Sequence, residues 1–172
     1  MRIRKAEIKD SKCIAKVNID VWRTTYRGIM PDEDLDNLSC HDREKFCKEL
    51  LEKKENDAFI YVAEDEIKGV IGFISGGRER ERNDDSSCEI YAIYVSKEFQ
   101  RKGIGRSLFK KALEEFIGLN LKSLKIWVLD ENPYKRFYEK LGGRQIESKK
   151  FKGLDIVAYG WADIRNINIK NQ

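Results

Sequence analysis

The hydrophobic residues of this chain occur in two alternating spacings, which predict strands interspersed with helices. Compact apolar runs that are typical of strands lie at residues 3–6, 58–63, 70–75, 89–95, 124–129 and 157–161. The run at 89–95 is apolar on both faces apart from Glu89, which is typical of a central strand. Helical spacing extends from about residue 103 to 117, with charged residues opposite Leu108 and Phe109. The pattern therefore predicts helices packed on a twisted sheet, in a mixed α/β fold.

Breaks in the pattern mark the remaining helices and loops. Asp10 is suited to cap a first helix, which the segment Gly28–Pro31 ends. A charged helical stretch then runs in pieces from Pro31 to about Lys54. Residues 76–87 are polar and charged, so we interpret them as a loop. Further along, Asn132-Pro133 begins a short helix that two glycines end.

Chain length and composition are those of one folded domain. The 172 residues have a mass of 20.2 kDa, which is enough for a core that needs no disulfides. Charged residues reach 37%, but 34 basic and 30 acidic residues leave a formal charge of only +4, so disorder is not expected. We predict a single domain at residues 1–165, followed by a polar C-terminal tail at 166–172.

Targeting and metal-binding signals are missing from the pattern. The N-terminal stretch lacks the apolar core of a signal peptide, and the apolar run at 58–63 is far below the roughly 18 residues that span a bilayer. No Cys-x-x-Cys pair occurs among Cys13, Cys40, Cys47 and Cys88. We interpret them as reduced thiols of a cytoplasmic protein without a metal site. The single histidine, His41, argues against Ser-His or Cys-His catalysis.

A strand, a short loop, a Gly-x-Gly pair and a helix follow one another between residues 91 and 117. A glycine-containing loop that enters a helix leaves backbone N–H groups free at the positive end of the helix dipole, where phosphates bind. Basic residues cluster around this loop, namely Lys97, Arg101, Lys102, Arg106, Lys110 and Lys111. The segment Gly103–Gly105 therefore indicates an anion site.

This segment fits neither of two common nucleotide-binding loops. A dinucleotide-binding loop has a third glycine where this chain has Leu108. A Walker A loop has glycine there too, followed by Lys and then Ser or Thr, where this chain has Phe109 and Lys110. A tight turn beside a surface helix, without any ligand, accounts for the two glycines equally well.

Three segments, in the same order, resemble the GNAT-type N-acetyltransferases. The family's Gln/Arg-x-x-Gly-x-Gly/Ala pyrophosphate loop is similar to Gln100-Arg101-Lys102-Gly103-Ile104-Gly105. Its second CoA-binding segment is similar to residues 132–142. The turn between the first two helices of one bacterial branch is similar to residues 22–31, which contain Trp-x-x-x-Tyr-x-Gly. The resemblance runs from residue 2 to about 163. It departs from the family at Tyr134, where a small residue is common, and at Gly143, where Phe is usual.

The resemblance implies a GNAT-like acyl-CoA N-acyltransferase fold, with a twisted, mostly antiparallel sheet flanked by helices and with central strands that splay apart. It implies acetyl-CoA as the acetyl donor and no metal. Backbone groups of Ile93 and Val95 would pair with the pantetheine arm, and the backbone of residues 101–106 would hold the pyrophosphate. The residues assigned to cofactor binding on this basis are Ile93, Tyr94, Val95, Gln100, Arg101, Lys102, Gly103, Ile104, Gly105, Arg106 and Asn132.

Two of these assignments carry a further expectation. Asn132 would form a hydrogen bond to the pantetheine region, and its alternative role is a plain helix cap. A backbone N–H near Tyr94, left free where the strand splays, is the expected donor to the carbonyl oxygen as negative charge builds on it.

Two residues are candidates for proton transfer. A lysine-like amine is neutral in only about 1 of 2,500 molecules at pH 7, so a base is useful. The resemblance gives this role, acting through water, to Glu89, whose alternative is an exposed or Arg-paired residue at a strand start. It gives Tyr138 the role of acid toward the departing thiolate, with a core tyrosine as the alternative. Reference pKa values near 10 and 8.5 make full proton transfer uphill by about 2 kcal/mol, although hydrogen bonding to the thiolate is still useful.

The expected acceptor is an amine of a small molecule or a peptide. Trp22, Tyr26 and the turn at 28–31 line or cover its entrance if the branch resemblance holds, and are otherwise ordinary core and turn residues. An acidic run of Asp32, Glu33, Asp34 and Asp36 either favours cationic amines or is a solvated helix start.

Two other functions share parts of the pattern. A catalytically silent acyl-CoA-binding regulatory domain would keep the loop at 100–105 without turnover. A nucleic-acid-binding module would account for the sequence pI of about 8.8, but the basic residues are already explained by the phosphates of CoA and no recognition motif is present. We therefore predict an N-acetyltransferase without nucleic-acid or membrane partners. A homodimer is expected only by analogy with the family.

Overall fold

A computed structural model describes residues 1–53, 55–81 and 85–169. Its strands are β1 (Arg2–Lys5), β2 (Phe59–Asp65), β3 (Gly69–Arg78), β4 (Ser87–Val95), β5 (Ser123–Leu129), β6 (Arg144–Phe151) and β7 (Leu154–Trp161). Its α-helices are α1 (Ser11–Thr25), α2 (Asp32–Asp36), α3 (Cys40–Lys53), α4 (Ile104–Gly118) and α5 (Arg136–Lys140). The strands form one sheet in the order β1-β2-β3-β4-β5-β7-β6.

The sheet is antiparallel except at its centre, where β4 and β5 run parallel. These two strands pair over only four residues, from Ser87 opposite Ser123 to Ile90 opposite Ile126. Beyond that point β4 continues to Val95 and β5 to Leu129 without pairing to each other. The mixed, mostly antiparallel sheet with splayed central strands is therefore confirmed.

A β-bulge marks the place where the two central strands separate. The register of β3 against β4 shifts between Ser75, opposite Ala92, and Gly76, opposite Ile90, so Tyr91 is the extra residue. A bulge bends the strand that carries it and increases its local twist. Since Tyr91 directly follows the last residue of β4 that pairs with β5, the bend accompanies the start of the gap.

Helices cover both faces of the sheet, as the hydrophobic spacing predicted. The helix α4 buries Leu108, Phe109 and Phe116 completely, although Ile117, which shares the apolar pattern, is exposed. On the opposite face, α1 contributes the second group of buried side chains, which comprises Ile14, Val17 and Val21 with Cys47, Ile60, Val62 and Phe73.

Two parts of the sheet differ from the sequence-based expectation. The segment at 76–87, interpreted as a loop, contains the end of β3, which extends to Arg78. The hydrophobic pattern did not indicate β6, because this edge strand is almost entirely exposed and carries charged residues on both faces. As a result, β7 lies between β5 and β6, and β6 is the edge strand on this side of the sheet.

The glycine at 143, one of the two departures from the family pattern, lies against an indole ring. A Cβ atom on Gly143 would lie 2.6 Å from Cζ2 of Trp161 and 3.0 Å from the carbonyl oxygen of Tyr138. The Trp161 side chain is held there because its Nε1 donates to the Leu141 carbonyl at 2.9 Å. Trp161 on β7 therefore occupies the space next to Gly143, and any larger residue at 143 would displace it.

Candidate active site

A cavity of about 1240 Å³ opens where β4 and β5 separate. Its wall is formed by β4, β5, the end of α1, the N-terminal end of α4 and the loop that precedes α5. Pockets for small metabolites are usually about 300 to 1,000 Å³, so this cavity is large enough for an extended ligand together with a second molecule.

The edge of β4 that faces the gap presents unpaired backbone groups. Ser96 donates from its amide to the Ile71 carbonyl at 2.8 Å, which makes this pair a hydrogen-bonded one in the β3–β4 ladder. Hydrogen-bonded pairs alternate with non-bonded pairs along an antiparallel ladder, so the backbone groups of Tyr94 also bond toward β3. The backbone groups of Ile93 and Val95 therefore point the other way, into the gap. The donor expected near Tyr94 is therefore not the amide of Tyr94 itself, since the amides that face the gap belong to its neighbours Ile93 and Val95.

The N-terminal end of α4 provides a second set of backbone donors. Gly103 precedes the helix in a left-handed conformation, with φ of 80°, and its carbonyl accepts the first helical hydrogen bond, from the Ser107 amide at 3.0 Å. The amides of Ile104, Gly105 and Arg106 therefore have no acceptor within the helix, and the rest of the described chain provides none. Together with the helix dipole, these amides form an anion site.

The predicted residues of this loop do not all line the cavity. Arg101 and Arg106 line it, as do Gly103 and Gly105. The other two predicted residues do not line it. Lys102 lies over the Phe99 ring, 5.1 Å from its centroid, and Ile104 is buried in the main core. Ile104 can therefore contribute only its amide.

Gln100 lines the cavity, but its backbone and side-chain hydrogen bonds are made within the protein. Its amide donates to the Lys97 carbonyl at 3.3 Å and is not available to an anion. Its side-chain Nε2 donates to the Val95 carbonyl at 2.9 Å, at the end of β4. Gln100 therefore fixes the loop to the strand and shapes the rim of the cavity.

Two further cations that line the cavity were missed by the sequence analysis. Arg136 and Lys140 lie at the two ends of the short helix α5, and both contribute to the cavity wall. No motif marks them, since they are ordinary basic residues in a segment rich in charge. Their position follows only from the packing of α5 against the N-terminal end of α4.

Tyr138 on α5 is buried and contributes its side chain to the cavity wall. Its ring packs against Phe137 and Tyr159, with centroids 5.3 and 5.8 Å away. Among the described residues, no group forms a hydrogen bond with its hydroxyl. Burial, with a smaller effect of Tyr94, raises the pKa of Tyr138 above its ordinary value. The phenol is therefore neutral and is available as a hydrogen-bond donor.

Glu89 is buried at the deep end of the cavity and is paired with a cation. Arg80 donates to it from Nε at 3.2 Å, from a terminal nitrogen at 2.5 Å and from its backbone amide at 3.2 Å. This carboxylate raises the pKa of the Arg80 guanidinium, which lies 4.6 Å from the centroid of the Tyr91 ring. Glu89 therefore lies in the cavity, as expected, but in its Arg-paired form.

A second buried ion pair lies next to Glu89. Lys125, opposite Glu89 in the register of β5 against β4, forms a hydrogen bond to Glu79 and lies 3.4 Å from Glu147. Burial by itself lowers the pKa of Lys125, but the bond to Glu79 and the two negative charges leave that pKa raised overall. This pair neutralises a charge that would otherwise be costly to bury.

Asn132 is buried and forms two hydrogen bonds. Its Oδ1 accepts from the Tyr134 amide at 2.8 Å, and its Nδ2 donates to the Tyr26 hydroxyl at 3.1 Å. The first bond forms a turn within the loop before α5. The N-cap of α5 is Lys135, which has no side-chain cap, so Asn132 does not have the alternative role of a plain helix cap. The second bond connects this turn to the end of α1, where Trp22 and Tyr26 both line the cavity.

The acidic run after α1 does not face the cavity. Asp32 and Asp36 are exposed and form ion pairs with Arg27 at 3.0 and 2.9 Å. None of the four acids of the run belongs to the cavity wall. The run is therefore a solvated helix start, and its carboxylates do not select an amine.

The described ranges contain neither a metal-binding cluster nor a membrane-spanning helix. No group of three or more Cys, His, Asp and Glu side chains is arranged to hold a metal ion there. No helix of the described chain is both long and apolar enough to cross a bilayer.

Comparison with known proteins identifies the family. The sequence model of the Acetyltransferase (GNAT) family matches residues 20–143, which is more than half of the chain. The chain belongs to the GNAT acetyltransferase family. An uncharacterized N-acetyltransferase of Bacillus subtilis, YuaI, is 35% identical over 168 residues, which are 94% of this chain and 93% of that protein.

Solved structures of the family share the fold. The PaiA N-acetyltransferase of Thermoplasma acidophilum, determined in complex with coenzyme A, has a TM-score of 0.77 at 20% identity and covers 93% of this chain and 98% of its own. YncA of Salmonella typhimurium, determined with acetyl-CoA, has a TM-score of 0.70 at 21% identity, with 94% and 93% covered. The family and the N-acetyltransferase relative identify an acetyl-transfer enzyme that uses an acyl-CoA, and not a silent binding domain.

The described residues fit this co-substrate. A pyrophosphate needs backbone donors and cations, which the α4 amides, Arg101 and Arg106 provide. An extended arm needs an unpaired strand edge, which β4 provides at Ile93 and Val95.

We predict that Gly103→Ala weakens CoA binding by about 10-fold, because the side chain disfavours the left-handed conformation that aims the α4 amides. Isothermal titration calorimetry with CoA measures the effect. Gly153→Ala is the matched control, since Gly153 has the same φ of 80°, also without neighbours within 4 Å, in the β6–β7 turn. Both variants should lose similar stability, so equal CoA affinities in the two would contradict the assignment of the anion site.

Proposed function

We propose that this protein transfers the acetyl group of acetyl-CoA to a primary amine of a small molecule or a peptide, by direct attack within a ternary complex. One observation carries the proposal. The same cavity contains an anion site at one end, a buried carboxylate at the other, and an unpaired strand edge with a buried phenol between them.

The donor's position follows from the arrangement of backbone groups. The α4 amides, with Arg101 and Arg106, hold the pyrophosphate, and Arg136 and Lys140 add positive charge to the same wall. The edge of β4 at Ile93 bonds the pantetheine arm. This places the thioester near the deep end of the gap, where the carboxylate lies.

Val95 and Asn132 have fewer free hydrogen-bonding groups for the pantetheine arm than the family resemblance implies. Gln100 already occupies the Val95 carbonyl, so Val95 has only its amide to offer to the arm. Asn132 uses its oxygen and one amide hydrogen within the protein. The remaining hydrogen of its Nδ2 is the group that bonds the arm.

At the deep end, Glu89 provides the base. An incoming ammonium group competes for the carboxylate with Arg80, whose side chain is about half exposed. Glu89 takes one proton from the ammonium, through water, and so leaves a neutral amine that attacks the thioester carbonyl carbon. The new C–N bond forms and the C–S bond breaks. CoA leaves as the thiolate, and the second proton of the nitrogen passes to solvent water.

At the thioester, two kinds of donor stabilise the developing negative charge. An amide of β4 that faces the gap, from Ile93 or Val95, is directed toward the carbonyl oxygen. Tyr138 donates its hydroxyl hydrogen to the departing sulfur. Its raised pKa makes complete proton transfer less favourable than for a free phenol, so its contribution is a hydrogen bond and not full protonation.

The acceptor enters past the end of α1. Trp22 and Tyr26 line this side of the cavity, and the turn after them is held by bonds from the Ile29 and Met30 amides to the Tyr26 carbonyl, at 3.0 and 2.9 Å. We assign this Trp-x-x-x-Tyr-x-Gly turn to the acceptor entrance, as in the bacterial branch that it resembles. A relative named spermidine N(1)-acetyltransferase, from Thermoplasma acidophilum, is 25% identical over 114 residues and supports an amine acceptor.

The setting of the reaction is part of the proposal. A cytoplasmic enzyme is consistent with four free cysteines, two of them exposed. The exposed edge strand β6 is the surface on which a homodimer would form. No contact with nucleic acid is proposed, because the cations around the α4 N-terminus serve the phosphates of CoA.

The function is tested by incubating the purified protein with isotope-labelled acetyl-CoA and a panel of amines and peptides, then with a cell lysate. Release of CoA thiol should depend on the amine, and mass spectrometry should find the label on a primary amine. Label on hydroxyl groups alone, or thiol release that no amine or lysate increases, would contradict the proposal.

Replacing the base should lower kcat strongly, and the loss should become smaller as the pH rises. Glu89→Gln should lower kcat by about 100-fold or more near pH 7, with CoA affinity unchanged. The deficit should narrow as the pH rises toward the pKa of the acceptor amine, because a neutral amine needs no base. Glu79→Gln, which removes a neighbouring buried and paired carboxylate, is the control. An equal loss in both variants, or a deficit independent of pH, would mean that Glu89 is structural.

Removing the phenol hydroxyl should affect turnover and not binding. Tyr138→Phe should lower kcat by about 10-fold or more and leave acetyl-CoA affinity within about 2-fold, because the hydroxyl acts on the charge that develops at sulfur. Steady-state kinetics and calorimetry measure the two effects. Tyr159→Phe, whose hydroxyl bonds to Glu139 at 2.9 Å outside the cavity wall, is the control. An unchanged kcat for Tyr138→Phe would remove its assignment.

A further inference from the structure

Two side chains meet across the rim of the cavity. The Tyr134 hydroxyl donates to Oε1 of Gln100 at 2.8 Å, and Nε2 of Gln100 donates to the Val95 carbonyl at 2.9 Å. Tyr134 belongs to the loop that follows β5, and Gln100 belongs to the loop that follows β4. The contact therefore joins the loops that follow β4 and β5, at the end of the two strands where they no longer pair with each other.

Both ends of this bridge are anchored. At the Gln100 end, the amide bonds to the Lys97 carbonyl, and the side chain bonds to β4. At the Tyr134 end, the amide donates to Asn132 Oδ1, and Asn132 in turn donates to the Tyr26 hydroxyl. The Tyr134–Gln100 bond is therefore the link that joins the two anchored loops to each other.

The bridge lies at the rim and not in the depth of the cavity. Tyr134 is 39% exposed, and the side chains of Tyr134 and Gln100 both line the cavity. A ligand stretched from the α4 amides to the deep end of the gap would pass this point. Leaving sideways would require the bond between the two side chains to break.

We propose that Tyr134 and Gln100 form a clasp that closes over the CoA arm and slows its release. The inference rests on the proposed function, since it takes the arm to lie along the edge of β4. Tyr134 is thus a positioning residue for the donor, at a place where the family more often has a small residue. The clasp is one neutral hydrogen bond, so it affects a rate by several-fold and does not lock the site.

The test is the dissociation rate of CoA from Tyr134→Phe, which keeps the ring and removes the hydroxyl. Stopped-flow tryptophan fluorescence is suitable, because Trp22 and Trp127 line the cavity. Dissociation should become about 3- to 10-fold faster, the range that one neutral hydrogen bond corresponds to, with an association rate within about 2-fold of the unsubstituted protein. The melting temperature of the protein without CoA should stay close to that of the unsubstituted protein, because the effect is on CoA release and not on folding.

A double-mutant cycle isolates the bond. Gln100→Met removes the partner at similar length, and in that background Tyr134→Phe should have no further effect on CoA release. Tyr61→Phe is the control, since its hydroxyl bonds to Glu115 at 2.6 Å away from the cavity and its loss should leave CoA kinetics unchanged.

The outcomes separate the clasp from the proposed function. Normal CoA binding with an unchanged dissociation rate in Tyr134→Phe overturns the clasp alone. Equal acceleration of association and dissociation also overturns it, because the side chain is then only an obstacle. Failure of the unsubstituted protein to bind CoA overturns the cofactor assignment and this inference with it.

Discussion

The separation of the two central parallel strands is the constraint on which the rest of this structure depends. Four pairs hold β4 to β5, and the strands then diverge from a bulge at Tyr91. A sheet that lost pairing in its middle without compensation would bury unsatisfied backbone groups at considerable cost. In this protein the unpaired edge lines a cavity wide enough for water or a ligand. The defect in the ladder is therefore what makes a binding groove through the core of the sheet.

The chemistry is distributed along this groove by the elements that meet at it. At the α4 end, backbone amides provide positive potential that does not depend on flexible side chains. At the deep end, the carboxylates of Glu89 and Glu79 are each matched by a basic partner. The two ends thus differ in kind: one has fixed backbone dipoles that favour an anion, while the other has buried carboxylates that are already paired with cations.

The sequence predicted those features whose signal lies within a short stretch of chain. It did not predict features that depend on how one strand is aligned with its neighbour. The helix α4, the central strand at 89–95 and the glycine loop carry their signal in short stretches, and the structure contains them. The direction of the Tyr94 amide could not be predicted, because it depends on which residues of β3 lie opposite. A one-residue change of register would reverse it.

Other residues were not predicted from the sequence, because the residues around them come from distant parts of the chain. Arg80 lay in a segment interpreted as a loop, yet it pairs with Glu89 across the end of β3. The strand β6 has no apolar face, so periodicity could not reveal it. Arg136 and Lys140 became part of the site only through the packing of α5. In each case the sequence shows the residue, but it does not show which distant residues lie next to it in the fold.

The contact between Gly143 and Trp161 has a consequence for redesign. The family resemblance leads to the expectation of phenylalanine at 143, where this chain has glycine, and the indole of Trp161, 18 positions later, fills the adjacent space. Restoring a consensus phenylalanine at 143 would therefore collide with the ring unless position 161 were reduced in size at the same time. Sequence averages over relatives treat each column independently, and here they would recommend a substitution that only a coordinated change could accommodate.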